Sequence, residues 1–297
     1  MDAPAARPIP VLPLPSGIRH HATMPSPSLR QAVQLSKRLR RPVTQAVLAV
    51  ADDVARAQAR LKPGDVARKG VGDFVTAVDL RGERRLRRSL GALLPESGFL
   101  GEETDAAELD RDWVWIVDPI DGTSNFSRGL PQFSVSVALA FRGRPLLGAV
   151  HVQPEGALYT ALHGLGAWRG SRRVAPPRAR FDDGAIVGCQ WFRGQQDMSF
   201  LPAIQSAGAR IRTLGSTVVQ LVDCVAGRLD ANVQQQGRLW DFAAAGLIAQ
   251  EAGLRFTDWH GRAVFPIRDL ERGHTATVAA RPAVHRRLLD LLRHHAR

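Results

Sequence analysis

Between Trp113 and Leu162 the apolar residues leave helical spacing and fall into short runs with little chain between them: "WVWIVDP", "FSVSVALAF", "LLGAVHV" and "GALYTAL". Runs this short and close satisfy their backbone groups most simply by pairing with their neighbours as hairpins, so the middle of the chain is expected to be an antiparallel sheet. In "FSVSVALAF" the large residues Phe133, Val135, Val137, Leu139 and Phe141 alternate with small ones, which predicts a strand with one face on a core.

The flanks read differently. From Ser28 to about Leu61 the spacing is helical, with Val43, Val47, Val50 and Val54 on one face and Pro42 as a break. A second helix is expected from about Asp79 to Leu94, stopped by Pro95. Beyond a Pro- and Arg-rich linker near residues 172 to 184, strand-like and helix-like segments alternate: "AIVGCQ", a helix near 196 to 207, "IRTLGS", a helix from about 216, "LDANV", a helix from Asp241, "LRFTD", "TVAAR" and a last helix from Pro282. The expected organisation is a leader over 1–27, an α+β half over 28–178 and an α/β half over 179–297 that completes the site. The leader holds seven prolines and shows no periodicity, which predicts disorder, and Met24 could equally be the true start.

Composition matters at two points. The formal charge of +12 suggests a polyanion partner, but only Lys37, Lys62 and Lys69 among the 40 basic residues are lysines, and the arginines are scattered. That is the pattern of a GC-rich genome more than of one basic face, so nucleic acid is not expected as a partner, although the reading stays open. No apolar run approaches the roughly 18 residues of a membrane helix, so no membrane is expected. Cys189 and Cys224 lack paired spacing and suit free thiols in a reducing cytoplasm.

The chemistry-bearing residues are acids at the edges of apolar segments. "DPIDGT" places Asp118 and Asp121 at the end of a strand, and alone it reads equally well as a plain turn. "KGVGDFVTAVD" ends at Asp79, "GEE" gives Glu102 and Glu103, and "WDFAAAG" begins with Trp240 and Asp241. Carboxylates gathered without compensating lysine repel one another unless cations hold them, and hard cations with oxygen ligands are Mg²⁺, Mn²⁺ and Ca²⁺.

In this order "DPIDGTSNF", "GEE" and "WDFAAAG" resemble the inositol monophosphatase family of Mg²⁺-dependent, lithium-sensitive phosphatases, with the likeness running from about Ser28 to the C-terminus. The resemblance implies a layered αβαβα sugar-phosphatase fold and two to three Mg²⁺ ions. One ion would be held by Glu102, Asp118 and the Ile120 carbonyl, a second by Asp118, Asp121 and Asp241, and a third, weaker one would lean on Glu102. It implies catalytic work for Asp79, Thr123, Glu102 and Asp121, with the Thr123 hydroxyl, backed by Asp79 and Thr76, orienting a water. A helix beginning at Thr123 would offer its amides to phosphate. Substrate contacts are implied for Ile120, Asp121, Gly122, Thr123, Gly215, Ser216, Thr217, Gln234 and Asp241, with Lys69, Thr76 and Glu103 behind them. Asp241, Ser216 and Thr217 have a plainer reading as helix caps.

Gln234 departs from the family pattern, which usually carries a glutamate there to accept from sugar hydroxyls. Inositol is therefore one candidate among small polyol or sugar phosphates, and histidinol phosphate is another. The resemblance also implies a homodimer, for which the "FSVSVALAF" sheet could supply an apolar face.

Overall fold

A computed structural model describes residues 27–60, 66–69, 73–175, 181–182, 184–190, 198–270 and 274–293, with only the backbone given for 66–69 and 73–76. The leader expected over 1–27 lies outside the described residues apart from Pro27.

Helix α1 (Leu29–Gln58) starts at a capping box in which Ser28 Oγ accepts from Gln31 N–H at 3.3 Å and Gln31 Oε1 accepts from Ser28 N–H at 2.8 Å. It runs unbroken through Pro42, contrary to the expected break. An internal proline costs about 3 kcal/mol, whereas each fully buried valine contributes about 1.5–3 kcal/mol. Val43, Val47, Val50 and Val54 are all buried on the face that crosses the proline, so packing outweighs the lost hydrogen bond. Helix α2 (Ala77–Leu93) follows a hairpin of β1 (Val66–Lys69) and β2 (Asp73–Thr76) and lies beside α1.

Both helices cover one face of a seven-stranded sheet: β3 (Gly98–Gly101), β4 (Trp113–Asp121), β5 (Ser134–Phe141), β6 (Arg144–Val152), β7 (Ala157–Leu162), β8 (Gly166–Arg169) and β9 (Arg172–Val174), in chain order. The expected antiparallel pairing holds from β4 to β9, while β3 pairs with β4 in parallel. Residues 172–174, expected in a linker, form the edge strand β9.

Strand β5 is buried on both faces, which corrects the one-face reading. Val135, Val137, Leu139 and Phe141 pack toward α1 and α2, and Ala138 and Ala140 join the core on the opposite face. The small residues there admit helix α6 (Leu239–Glu251): a side chain at Gly148 of β6 would stand 2.9 Å from the Ala244 carbonyl. With both faces covered, "FSVSVALAF" cannot be the apolar surface of a dimer.

A five-stranded sheet forms the second half, from β10 (Ile186–Gln190), β11 (Arg210–Arg212), β12 (Ala231–Gly237), β13 (Arg255–Asp258) and β14 (Thr275–Ala280), in the order β11-β10-β12-β14-β13. Helices α5 (Thr217–Ala226) and α6 lie between the two sheets, and α4 (Phe200–Ser206) and α7 (Pro282–Leu292) close the outer face. Layers of helix, sheet, helix, sheet and helix result, as the resemblance implies. Helix α6 is apolar all round because it is packed from both sides. Among the described residues no helix is long and apolar enough to cross a membrane.

Candidate active site

The end of β4 is built to release its acids from the sheet. Pro119 has no N–H to give β5, and the pairing slips between Asp118 and Asp121. Ile120 N–H instead donates to Asp118 Oδ1 at 2.9 Å, an Asx turn that holds the first carboxylate against its own backbone. Gly122 follows at φ +96°, a left-handed conformation, and a side chain there would stand 2.8 Å from the Gln132 carbonyl. Helix α3 (Thr123–Ser127) begins at the residue expected to open a helix. Thr123 Oγ1 lies 2.9 Å from the Ile120 carbonyl and 3.3 Å from Asp79 Oδ2 in the first turn of α2, two acceptors for one proton.

The second half of the chain closes the site with the starts of two helices. Ser216 caps α5, its hydroxyl accepting from Val219 N–H at 3.1 Å while donating to Asp121 Oδ2. Val218 N–H donates to the same oxygen at 2.9 Å, and Thr217 N–H also bonds the Asp121 carboxylate. Asp241 lies in the first turn of α6, where it accepts from Arg238 N–H at 2.8 Å. It is therefore the third residue of a helix that starts at Leu239, not the cap of one that starts at Phe242.

Asp118, Asp121 and Asp241 each place a carboxylate oxygen within 4.8 Å of the others. All three are at least nine-tenths buried, and none makes an ion pair among the described residues. Burial comes first in raising Glu102, Asp118, Asp121 and Asp241 above the ordinary carboxylate range. Glu102 is pushed well up by desolvation and then by Asp241, Asp79 and Glu103. Asp118 is pushed well up by desolvation and then by Glu102 and Asp121. Asp121 rises only to about 6, because the donors from Ser216, Val218, Thr217 and Ser134 favour its charged form. Asp241 rises to about 8 through burial and the field of Asp121. Such a cluster is electrostatically unfinished, and its all-oxygen donor set fits a hard divalent cation.

The remaining expected residues are placed less uniformly. Glu103 sits beside Glu102 on the half-buried turn after β3. Gly215, at φ +76°, packs against Asn125. Gln234 is fully buried in β12, and its amide nitrogen donates to the Gln236 carbonyl at 2.8 Å. The side chains of Lys69 and Thr76 lie outside the described residues.

Two residues that matter were not anticipated. Glu83 is fully buried in α2, where it accepts from Glu103 N–H at 2.8 Å and from the Thr104 hydroxyl, so it holds the turn that presents Glu102. It stands four positions after Asp79 on the same helical face, a spacing that could have marked it. Asn125 donates to the Gln132 and Leu214 carbonyls, both at 2.7 Å, and so ties the turn after β4 to the segment that leads into α5.

The profile of the inositol monophosphatase family matches residues 36–297. An inositol-1-monophosphatase of Rhizobium meliloti (strain 1021) is 35% identical over 226 residues, which is 74% of this chain and 85% of that protein. The Nus factor SuhB of Vibrio cholerae serotype O1 is 35% identical over 199 residues, 65% of this chain and 74% of that protein. Among solved structures, the extragenic suppressor protein suhB of Bartonella henselae superposes with a TM-score of 0.75 at 27% identity, covering 89% of this chain and 98% of that one. With the profile spanning nearly all of the described residues and the acids gathered where the motifs implied, the chain belongs to the inositol monophosphatase family.

Proposed function

We propose that this protein is a Mg²⁺-dependent phosphomonoesterase for a small polyol or sugar phosphate. The observation that carries the reading is the trio of buried carboxylates of Asp118, Asp121 and Asp241, which make no ion pair among the described residues, beside the Thr123–Asp79 hydrogen bond. Asp118, Asp121, Asp241, Glu102 and the Ile120 carbonyl would hold the cations. Bound there, Mg²⁺ would supply Lewis-acid stabilisation of phosphoryl charge and a lowered water pKa.

The chain's own groups account for the remaining work. Thr123 Oγ1 accepts a proton from the incoming water while its own proton passes to Asp79. The water oxygen bonds to phosphorus as the ester P–O bond breaks, its electron pair passes to the alcohol oxygen, that oxygen takes a proton from solvent water, and Asp79 returns its own proton to solvent. The backbone at Gly122 and Thr123 meets the phosphate, and Glu83 keeps Glu102 in place through its turn.

The supporting measurement is phosphate release from a panel of inositol, glycerol, histidinol and sugar monophosphates, with and without Mg²⁺ and with added Li⁺. Mg²⁺-dependent turnover that Li⁺ suppresses is the expected result. A second reading, a nucleic-acid-associated regulatory protein that uses the fold for binding, rests on the arginine excess, and several relatives carry the name Nus factor SuhB. No turnover on any substrate, together with salt-sensitive RNA binding, would replace the first reading with the second. We also expect a cytoplasmic homodimer, which a light-scattering mass of one 32.4 kDa chain would contradict.

A further inference from the structure

Away from the acid cluster, the structure has two adjoining cavities in the groove between α1 and α2, of about 410 and about 320 Å³. None of the residues read as catalytic or metal-ligating lines either one. Arg56, Arg60 and Arg81 line the first, and Arg81, Arg84, Arg85 and Arg88 line the second. The only acid among the described lining residues is Asp53, which already pairs with both Arg56 and Arg85.

Helix α2 keeps four of its five arginines apart from its acids; the exception is Arg87, which donates to the Thr104 hydroxyl that also bonds Glu83. Its acids, Asp79 and Glu83, are buried on the site side, and Arg81, Arg84, Arg85 and Arg88 follow one another on the outer side at spacings of three and four. Like charges at these spacings disfavour a helix. Arg60, Arg81, Arg84 and Arg88 have no ion-pair partner among the described residues. The arrangement therefore opposes the helix it sits on, and a bound anion would reverse the sign.

We propose that the α1–α2 groove binds a small organic anion carrying two or more phosphate groups. A guanidinium fork matches phosphate oxygens in pairs. From Arg81 to Arg88 the helix advances about 10 Å, too far for a single phosphate to bridge. The floor of Val54, Ala57, Val78 and Gly82 suits an uncharged organic body, and the volume is that of a small-molecule pocket. No aromatic ring lines the groove among the described residues, which disfavours RNA, whose bases are usually read by stacking.

The test is calorimetric titration of the full chain, dialysed free of divalent metal, with sodium tripolyphosphate. Without metal the acid cluster repels anions, so binding reports on a site elsewhere. Saturable one-site binding is expected, weakened by salt, at least tenfold weaker in the triple variant Arg81→Gln/Arg84→Gln/Arg88→Gln, and unchanged in Asp121→Asn. The single variant Arg84→Gln, expected to weaken binding by a few-fold, covers the case in which the triple variant misfolds. Absence of binding, equal binding in wild type and variants, or an RNA dodecamer binding through these arginines where tripolyphosphate does not would each overturn the proposal. An inactive phosphatase would not affect the result, because no step of the assay needs turnover.

Discussion

Asp121 and Asp241 are equally desolvated carboxylates that come from opposite halves of the chain, and they are held differently. Asp121, at the end of a strand, receives the Ser216 hydroxyl and the first amides of α5, and its pKa rises only to about 6. Asp241, in the first turn of a helix, has the Arg238 amide and faces Asp121, and its pKa rises to about 8. The difference shows a division of labour. The first half contributes Asp79, Glu102, Asp118 and Asp121, and the second half contributes mainly neutral donors that make one of those charges tolerable.

The largest expected effect tests whether these acids act together. Asp121→Asn should lower kcat by about a thousandfold, the scale of losing a main electrostatic group in a site. Asp241→Asn should lower it by about a hundredfold or more, with metal affinity reduced in both. Near-normal turnover in Asp121→Asn would return Asp118 and Asp121 to an ordinary turn.

Next in size is a pH effect on the metal-free protein. Both folded pKa values lie above the ordinary value of 3.8, so the folded chain holds these protons more tightly than the unfolded one. Their stabilising contribution is complete below about pH 4, and it is lost as pH rises through about 6 for Asp121 and about 8 for Asp241. Thermal unfolding in chelator should therefore give a lower Tm at pH 9 than at pH 5, and Asp241→Asn should flatten that slope. For a chain of this size, relief of 1 kcal/mol amounts to roughly 2 °C. A pH-independent Tm would sink the description of the cluster as electrostatically unfinished.

Ser216→Ala sharpens the comparison more finely. It removes a charge-assisted hydrogen bond, about 1.5–3 kcal/mol, so Asp121 in the metal-free protein should titrate about one to two units higher by NMR. Asp241 should stay nearer its wild-type value. Equal movement of the two would mean that α5 does not discriminate between them.

The smallest effect on turnover is expected for Gln234→Glu. Its amide nitrogen now donates to Gln236, so a glutamate would replace a donor with a buried acceptor facing a carbonyl. Stability should fall by about 1–3 kcal/mol, while preference among polyol phosphates shifts and the Mg²⁺ response stays put. An unchanged ranking would place Gln234 away from the substrate.

Much of the fold was legible because strands β4 to β7 and helices α2, α5 and α7 announce themselves by period and by punctuation. Pro42 misled because proline acts on one hydrogen bond, whereas the four valines that follow it act through a buried stripe. "FSVSVALAF" misled because small residues look like a solvent face until a helix is found lying on them. The acids of the site were legible as a set, since each stands at the edge of an apolar segment. Glu83 could be marked by its spacing from Asp79, but its role could not, because that depends on the turn after β3 folding back over α2.

The sequence by itself determined which residues could ligate a cation, and the order in which strand ends and helix starts would present them. Periodicity and turn chemistry are local, and both can be read within a dozen residues. Only the tertiary structure decided which acids meet and how strongly each holds its proton. Those properties arise from desolvation and from donors such as Ser216, which reaches Asp121 from 95 positions away. A carboxylate's environment is set by what packs over it, and that depends on the whole layered core.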